Sequence, residues 1–250
     1  MSLYSVLVTG ANRGIGLALV KEFLKRKDIQ VVIATARDPA KADSLKEISD
    51  ARLRLVQMDL SNDESIKNSY SEVDKIVGSR GLNVLLNNAG VLIKYSTSGE
   101  VDRSKLVEQF QTNVFGVVIA TQTYLPLLRK AASLKSDDSF SIDRAAILQI
   151  SSGYGSITNN DRGSAGIGAA AYKASKTALN QFSRTFSIDL KPDHILVASF
   201  CPGWTQTGMG GRGATITAEE TAECLVNSFY KLNQENNGNF YNRNLNPIPF

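Results

Sequence analysis

Apolar residues fall in short runs along the chain, separated by longer stretches in which they recur every three or four positions. The runs lie at 5–9, 30–36, 53–58, 84–87, 145–150, 196–200 and, more weakly, 239–242. Most are unbroken Val, Ile and Leu rather than an in–out alternation, which predicts strands covered on both faces. After the first run, Ile15, Ala18, Leu19 and Phe23 hold helical spacing while Lys21, Lys25 and Arg26 take the opposite side. Asn62-Asp63-Glu64 opens another helix ahead of Ile66, Tyr70 and Val73, with Asn62 or Ser61 as its cap. Two long segments, 104–128 and 171–190, are apolar over wide arcs, and a last helix is predicted over 218–232 behind Thr217. The repeated strand–helix order predicts an α/β fold: a doubly wound, mostly parallel, seven-stranded sheet with helices on both faces and right-handed crossovers. No linker, composition break or internal repeat divides the 250 residues, so a single domain over 1–250 is expected. The charged stretch 133–143 reads as a surface loop. The Gly-, Ser- and Asn-bearing stretch 153–168 follows a strand directly, where ligand loops sit.

Composition narrows the class without choosing a chemistry. Hydrophobic residues make up 42% and charged residues 21%, a globular balance that excludes disordered and collagen-like chains. The net charge of +4 comes from 28 Lys+Arg against 24 Asp+Glu, scattered rather than striped. Nucleic acid is therefore not an expected partner, and a local need for an anionic ligand explains the excess equally well. Cys201 and Cys224 have no ligand spacing and His194 is the only histidine. No metal is expected, and a reducing compartment fits. No apolar run reaches the length of a membrane span, and the first residues pass straight into the first strand pattern. A cytoplasmic protein without a membrane partner is the expectation.

Thr9-Gly10-Ala11-Asn12-Arg13-Gly14-Ile15-Gly16 ends the first strand and opens the first helix. Glycines there permit a tight turn, close approach of a pyrophosphate and close helix–sheet packing, and the helix N-terminus offers unpaired N–H groups to phosphate. The spacing is TGxxxGIG rather than GxGxxG, and it resembles the short-chain dehydrogenase/reductase family, a single-domain Rossmann fold. Further motifs extend the likeness over nearly the whole chain: Asp59 after the third strand, Asn87-Asn88-Ala89-Gly90 closing the fourth, and Asn113 in the next helix. Ser151-Ser152 ends the fifth strand, Tyr172-Lys173-Ala174-Ser175-Lys176 gives YxxxK, and Cys201-Pro202-Gly203-Trp204-Thr205-Gln206-Thr207 matches PG-x-x-x-T. Within the family, the alanine-rich 169–178 stretch, Pro202-Gly203-Trp204 and Gly208-Met209-Gly210-Gly211 resemble the sniffer-type carbonyl reductases and bacterial C-factor relatives.

Tyr172 and Lys176 are four positions apart and share one face of a helix. A tyrosine with a pKa near ~10 is a poor acid–base group at neutral pH, and a nearby ammonium is expected to lower it. Hydride delivery to a carbonyl carbon needs a proton at its oxygen, so Tyr172 is the expected acid in reduction and base in oxidation. The resemblance implies that Lys176 also holds the ribose hydroxyls, that Ser152 orients the carbonyl (Ser151 being the alternative), and that Asn113 holds a water behind Lys176. It implies a cofactor groove lined by Gly10, Asn12, Arg13, Gly14, Ile15, Gly16, Arg37, Asp59, Leu60, Asn88, Ala89, Gly90, Tyr172, Lys176, Pro202, Gly203, Thr205 and Thr207. In that set Asp59 meets the adenine and Thr207 the nicotinamide carboxamide. Ser152 and Tyr172 are further apart than in most family members, and the extra length falls in 156–168.

The second strand ends Ala36-Arg37-Asp38, where NAD-specific folds carry a carboxylate for the ribose. With Arg37 there and Arg13 in the glycine turn, two guanidinium groups suit a 2′-phosphate, so the expected cofactor is NADP(H). The expected partner is a small-molecule carbonyl substrate: an aldehyde, ketone or quinone reduced by NADPH. Alcohol or steroid oxidation on the same residues, or a cofactor-binding signalling role, are the alternatives. Loops near 91–100, 153–170 and 203–216 are expected to shape the pocket, the last as an open or mobile lid. The long helices carry a second apolar stripe each, around Val118, Gln122 and Leu125 and around Ala178, Phe182 and Phe186. This predicts a homodimer, with a homotetramer possible through the other sheet edge.

Overall fold

A computed structural model describes residues 3–250. Seven strands follow the predicted apolar runs: β1 (Ser5–Val8), β2 (Val31–Ala36), β3 (Leu53–Gln57), β4 (Val84–Asn87), β5 (Ala146–Ile150), β6 (Leu196–Cys201) and β7 (Phe240–Asn242). They pair in the order β3-β2-β1-β4-β5-β6-β7, and all six pairings are parallel. The helices are α1 (Gly14–Leu24), α2 (Asp43–Lys46), α3 (Asp63–Val77), α4 (Arg103–Phe110), α5 (Gly116–Ala132), α6 (Ala170–Asp189) and α7 (Ala218–Phe229).

The unbroken apolar runs make sense once both faces are covered, because alternate residues then enter different cores. Val6 and Val8 of β1, Leu148 of β5 and Phe200 of β6 pack with α1 and α7. Leu7, Ile147 and Val197 pack on the other face with α3, α5 and α6. Phe23 of α1 and Phe229 of α7 stack at 6.4 Å, and Phe200 meets Phe229 edge-on at 4.9 Å. From β1 the chain builds outward to β3 and then returns to β4 on β1's other side. That reversal opens a crevice at the carboxyl ends of β1 and β4, where such sheets take ligands.

Two expectations are corrected here. The segment 104–128 is not one helix: α4 and α5 are separated by a π turn, Gln111–Phe115. Gly116 follows it because a Cβ there would overlap the Leu60 carbonyl oxygen, so only glycine lets α5 approach the end of β3 this closely. The stretch 133–143 is a strap rather than a plain surface loop. Phe140 and Ile142 are buried in the α1/α7 core, and the buried Arg144 donates to the carbonyls of Ala132, Lys135, Asp137 and Ser139. Among the described residues no helix is long and apolar enough to cross a membrane.

Candidate active site

The glycine turn and the turn after β4 are built as one piece. Gly10 and Gly14 have φ of +63° and +56°, a region in which a side chain is strained. A Cβ on Gly10 would also come within 2.8 Å of the Ala89 Cβ. Thr9 Oγ1 accepts from the backbone N–H groups of Asn88 and Ala89 at 2.9 and 3.0 Å, and Asn88 Nδ2 donates to the Thr9 carbonyl at 2.9 Å. Helix α1 starts behind Arg13 with no side-chain cap and no acid in its first turn. By contrast α3, α4 and α7 are capped by Asn62, Asp102 and Thr217. The orphan N–H groups of α1 therefore remain available to an anion. Arg13 and Arg37 are exposed, and among the described residues neither guanidinium has a partner. Asp38 is not a substitute for the missing acid: it caps the next turn through Ala40 N and pairs with Lys41 at 3.1 Å. A groove with a glycine floor, free helix N–H groups and two unpaired guanidinium groups fits a phosphorylated dinucleotide.

Across the crevice, β5 and α6 supply the chemistry. Tyr172 is 8% exposed, and burial pushes its phenol up to about 12, with the Ser152 hydroxyl beside it pulling the other way. Lys176 is 4% exposed, and burial brings its ammonium down to about 8. Its Nζ donates to the Ile150 carbonyl at 2.7 Å and lies 5.8 Å from the centre of the Tyr172 ring. The expected lowering of the tyrosine by the lysine is thus corrected: desolvation raises the phenol and outweighs the Ser152 hydrogen bond, while the Lys176 ammonium faces a carbonyl and the ring. Of the paired serines, Ser152 acts on Tyr172, whereas Ser151 is buried with no partner for its hydroxyl among the described residues.

Asn113 lies in the π turn, a local distortion frequent at functional sites. Its Oδ1 accepts from Val91 N at 2.8 Å, and its Nδ2 donates to the Val91 carbonyl and to Ser175 Oγ. Gln109, fully buried and not singled out from the sequence, does the same one turn earlier, accepting from Ile93 N and donating to the Val91 carbonyl, both at 2.7 Å. Two amides thereby hold the segment after β4 as a strand partner would. The i, i+4 spacing of Gln109 and Asn113 was the available signal. Gly90 completes the groove, since a Cβ there would reach within 3.4 Å of Asn113 Oδ1 and 3.6 Å of Lys176 Nζ.

The remaining expected groove residues lie in the turns after strands or, for Ile15, in the first turn of α1, and in different states. Asn12 is exposed and Ile15 half-buried; Asp59, after β3, accepts from Ser61. Leu60 and Pro202 are buried. The Thr205 hydroxyl pairs with Thr221 Oγ1 at 3.0 Å inside the protein. Thr207 crosses from the β6 loop to the α1 start, where a Cβ on Gly14 would lie 3.2 Å from its Cγ2. The loop after β6 is braced from within. Gln206 N donates to the Ile216 carbonyl at 2.7 Å, Gln206 Nε2 to Ala214, and the Trp204 indole to the Gly210 carbonyl at 2.8 Å. Tyr95 N donates to the Gly168 carbonyl at 2.7 Å and ties the 91–100 loop to the 153–168 loop.

Comparison with known proteins agrees with this geometry. The pattern that defines the short chain dehydrogenase family matches residues 4–215. The crystal structure of Sniffer of Caenorhabditis elegans is 48% identical, with a TM-score of 0.93 and full coverage of both chains. The NADPH-bound carbonyl reductase from chicken fatty liver is 31% identical, with a TM-score of 0.95, covering 100% of this chain and 95% of that one. The C-signal protein of Myxococcus xanthus is 32% identical over 169 residues, covering 68% of this chain and 93% of its own.

Proposed function

The chain belongs to the short chain dehydrogenase family, and from that premise we propose that it is an NADPH-dependent reductase of aldehydes, ketones or quinones. The observation that carries this reading is the grouping of a buried Tyr172 with Ser152 and Lys176 across a crevice from a glycine cradle and two exposed guanidinium groups. When bound, the nicotinamide supplies a hydride. Ser152 directs the substrate oxygen toward the Tyr172 hydroxyl, which donates its proton as negative charge develops there. Lys176, with its ammonium behind the ring, stabilises the phenolate left after donation. Arg13 and Arg37 hold the 2′-phosphate, the α1 N-terminus takes the pyrophosphate, and Thr207 meets the carboxamide. Burial pushes the Tyr172 phenol up, which favours the protonated form that donates in reduction. The neighbour with NADPH bound and the Sniffer likeness support the cofactor and the substrate class.

NADPH consumption followed with a panel of quinones, aldehydes and ketosteroids tests the reading. Turnover of one or more carbonyl classes is expected. Tight NADPH binding without turnover of any of them would leave the signalling alternative instead.

The substrate loops near 91–100, 153–170 and 203–216 form the pocket wall of a single NADP-binding domain. Two free cysteines support a reducing, cytoplasmic setting. We further propose a homodimer through α5 and α6, with a tetramer open through the other sheet edge. Leu179, Ser183 and Leu190 pack inward, whereas Phe115, Phe182 and Ile188 stay 48%, 40% and 58% exposed. Light scattering should give twice the 27.1 kDa chain mass, and Phe182→Glu should return it to one. A single-chain mass for the parent protein at micromolar concentration would end this proposal.

A further inference from the structure

Lys173 directly follows the proposed proton donor, yet proton donation makes no use of it. Its residue is only 7% exposed, although a lysine ordinarily keeps its ammonium in water. Here Nζ donates to Asn160 Oδ1 at 2.6 Å and lies 4.8 Å from the centre of the Tyr154 ring. Among the described residues it makes no ion pair. An ammonium withdrawn from water onto a neutral amide and a ring face is costly unless both contacts hold it. The Tyr154 ring in turn meets Tyr172 edge-on, with centroids 6.5 Å apart and planes at 77°.

Two separate parts of the site therefore converge on one cation. Asn160 belongs to the 156–168 loop, which carries the extra length between Ser152 and Tyr172. Tyr154 belongs to the turn Gly153–Gly155. The backbone of that turn is already fixed to α6, because Thr177 Oγ1 and Asn180 Nδ2 donate to the Gly155 carbonyl at 3.0 and 3.3 Å. What remains for Lys173 to hold is the Tyr154 ring and the loop.

We propose that Lys173 is a positioning residue with two arms: through Tyr154 it sets the attitude of the Tyr172 ring, and through Asn160 it holds the 156–168 loop as a wall of the carbonyl site. The first arm rests on the reading of Tyr172 as proton donor; the second does not. Steady-state reduction of a carbonyl by NADPH separates them. Tyr154→Leu should lower kcat about tenfold with KM for the carbonyl little changed. Asn160→Ala should raise that KM about fivefold with kcat little changed. Lys173→Met, which keeps the unbranched stem, should show both changes, and Lys173→Arg should recover much of each. The dissociation constant of NADPH, read by its fluorescence, should stay within about twofold in every variant.

Unchanged constants in Lys173→Met overturn the proposal, as does an NADPH affinity that falls in step with kcat/KM. If Lys173→Met does not fold, the pair Tyr154→Leu and Asn160→Ala decides, and silence in both overturns it. Failure of the underlying reading shows elsewhere: full turnover by Tyr172→Phe removes the first arm while a raised KM in Asn160→Ala stands.

Discussion

Tyr172→Phe should reduce carbonyls about 10²–10⁴-fold more slowly than the parent protein while binding NADPH as before. The substitution removes one hydroxyl and leaves the ring's surroundings in place. The edge-on contact with Tyr154 at 6.5 Å and the Lys176 ammonium 5.8 Å from the ring centre both survive in phenylalanine. Lys176 keeps its bond to the Ile150 carbonyl, so the crevice wall is unchanged. The loss should therefore fall on kcat, with thermal stability and NADPH fluorescence close to the parent values. A pH profile adds a second reading of the same site. The ammonium of Lys176 sits at about 8, so reduction by the parent protein should decline as pH rises through that value and the phenolate loses its counter-charge. Turnover by the variant within a few-fold of the parent would remove Tyr172 from the role of acid.

The parts of this site written in adjacent residues were legible in the sequence. The glycine turn, the doubled Asn before Gly90, the paired serines and the four-residue step from Tyr172 to Lys176 each occupy one strand end or one helix face. Periodicity places these at strand ends and on a helix face, and the family resemblance implied that they share one site; the sheet order sets β1, β4 and β5 side by side. Parts that depend on what lies opposite were not legible. The apolar pattern across 104–128 is continuous, and nothing local marks Gln111–Phe115 as a π turn; it forms where Gly116 meets the Leu60 carbonyl and Asn113 meets Val91. Phe140, Ile142 and Arg144 anchor the 133–143 strap from within a run of polar residues, so no period exposes them. The direction of the Tyr172 shift was misjudged for the same reason: a neighbouring lysine is visible in the chain, but its burial and its bond to Ile150 are not. The contact of Lys173 with Asn160 joins residues 13 positions apart and carries no local mark.

Cofactor choice gives the second large effect. Arg13→Ala and Arg37→Ala should each weaken NADPH by about 1.5–3 kcal/mol, roughly tenfold to a hundredfold in affinity, while NADH binding changes little. The two guanidinium groups approach the crevice from different elements, one in the turn before α1 and one at the end of β2, so each can meet the 2′-phosphate independently. Among the described residues neither has a partner, so no contact among them is broken when it is removed. The backbone at Arg37 is held separately, by Gln57 Nε2 donating to its carbonyl at 3.0 Å, and should keep its place without the side chain. Exposed side chains of this kind contribute little to folding, so thermal stability should be nearly unchanged, and the affinity loss reads as binding alone. Asp38 will not rescue NADH binding, because it remains committed to Ala40 and Lys41. Added salt should erode NADPH binding to the parent protein more than to either variant, as expected when a charge–charge contact is the part removed. Fluorescence titration of both nucleotides with both variants makes the measurement. An equal loss for NADPH and NADH would mean that the arginines shape the groove rather than read the phosphate.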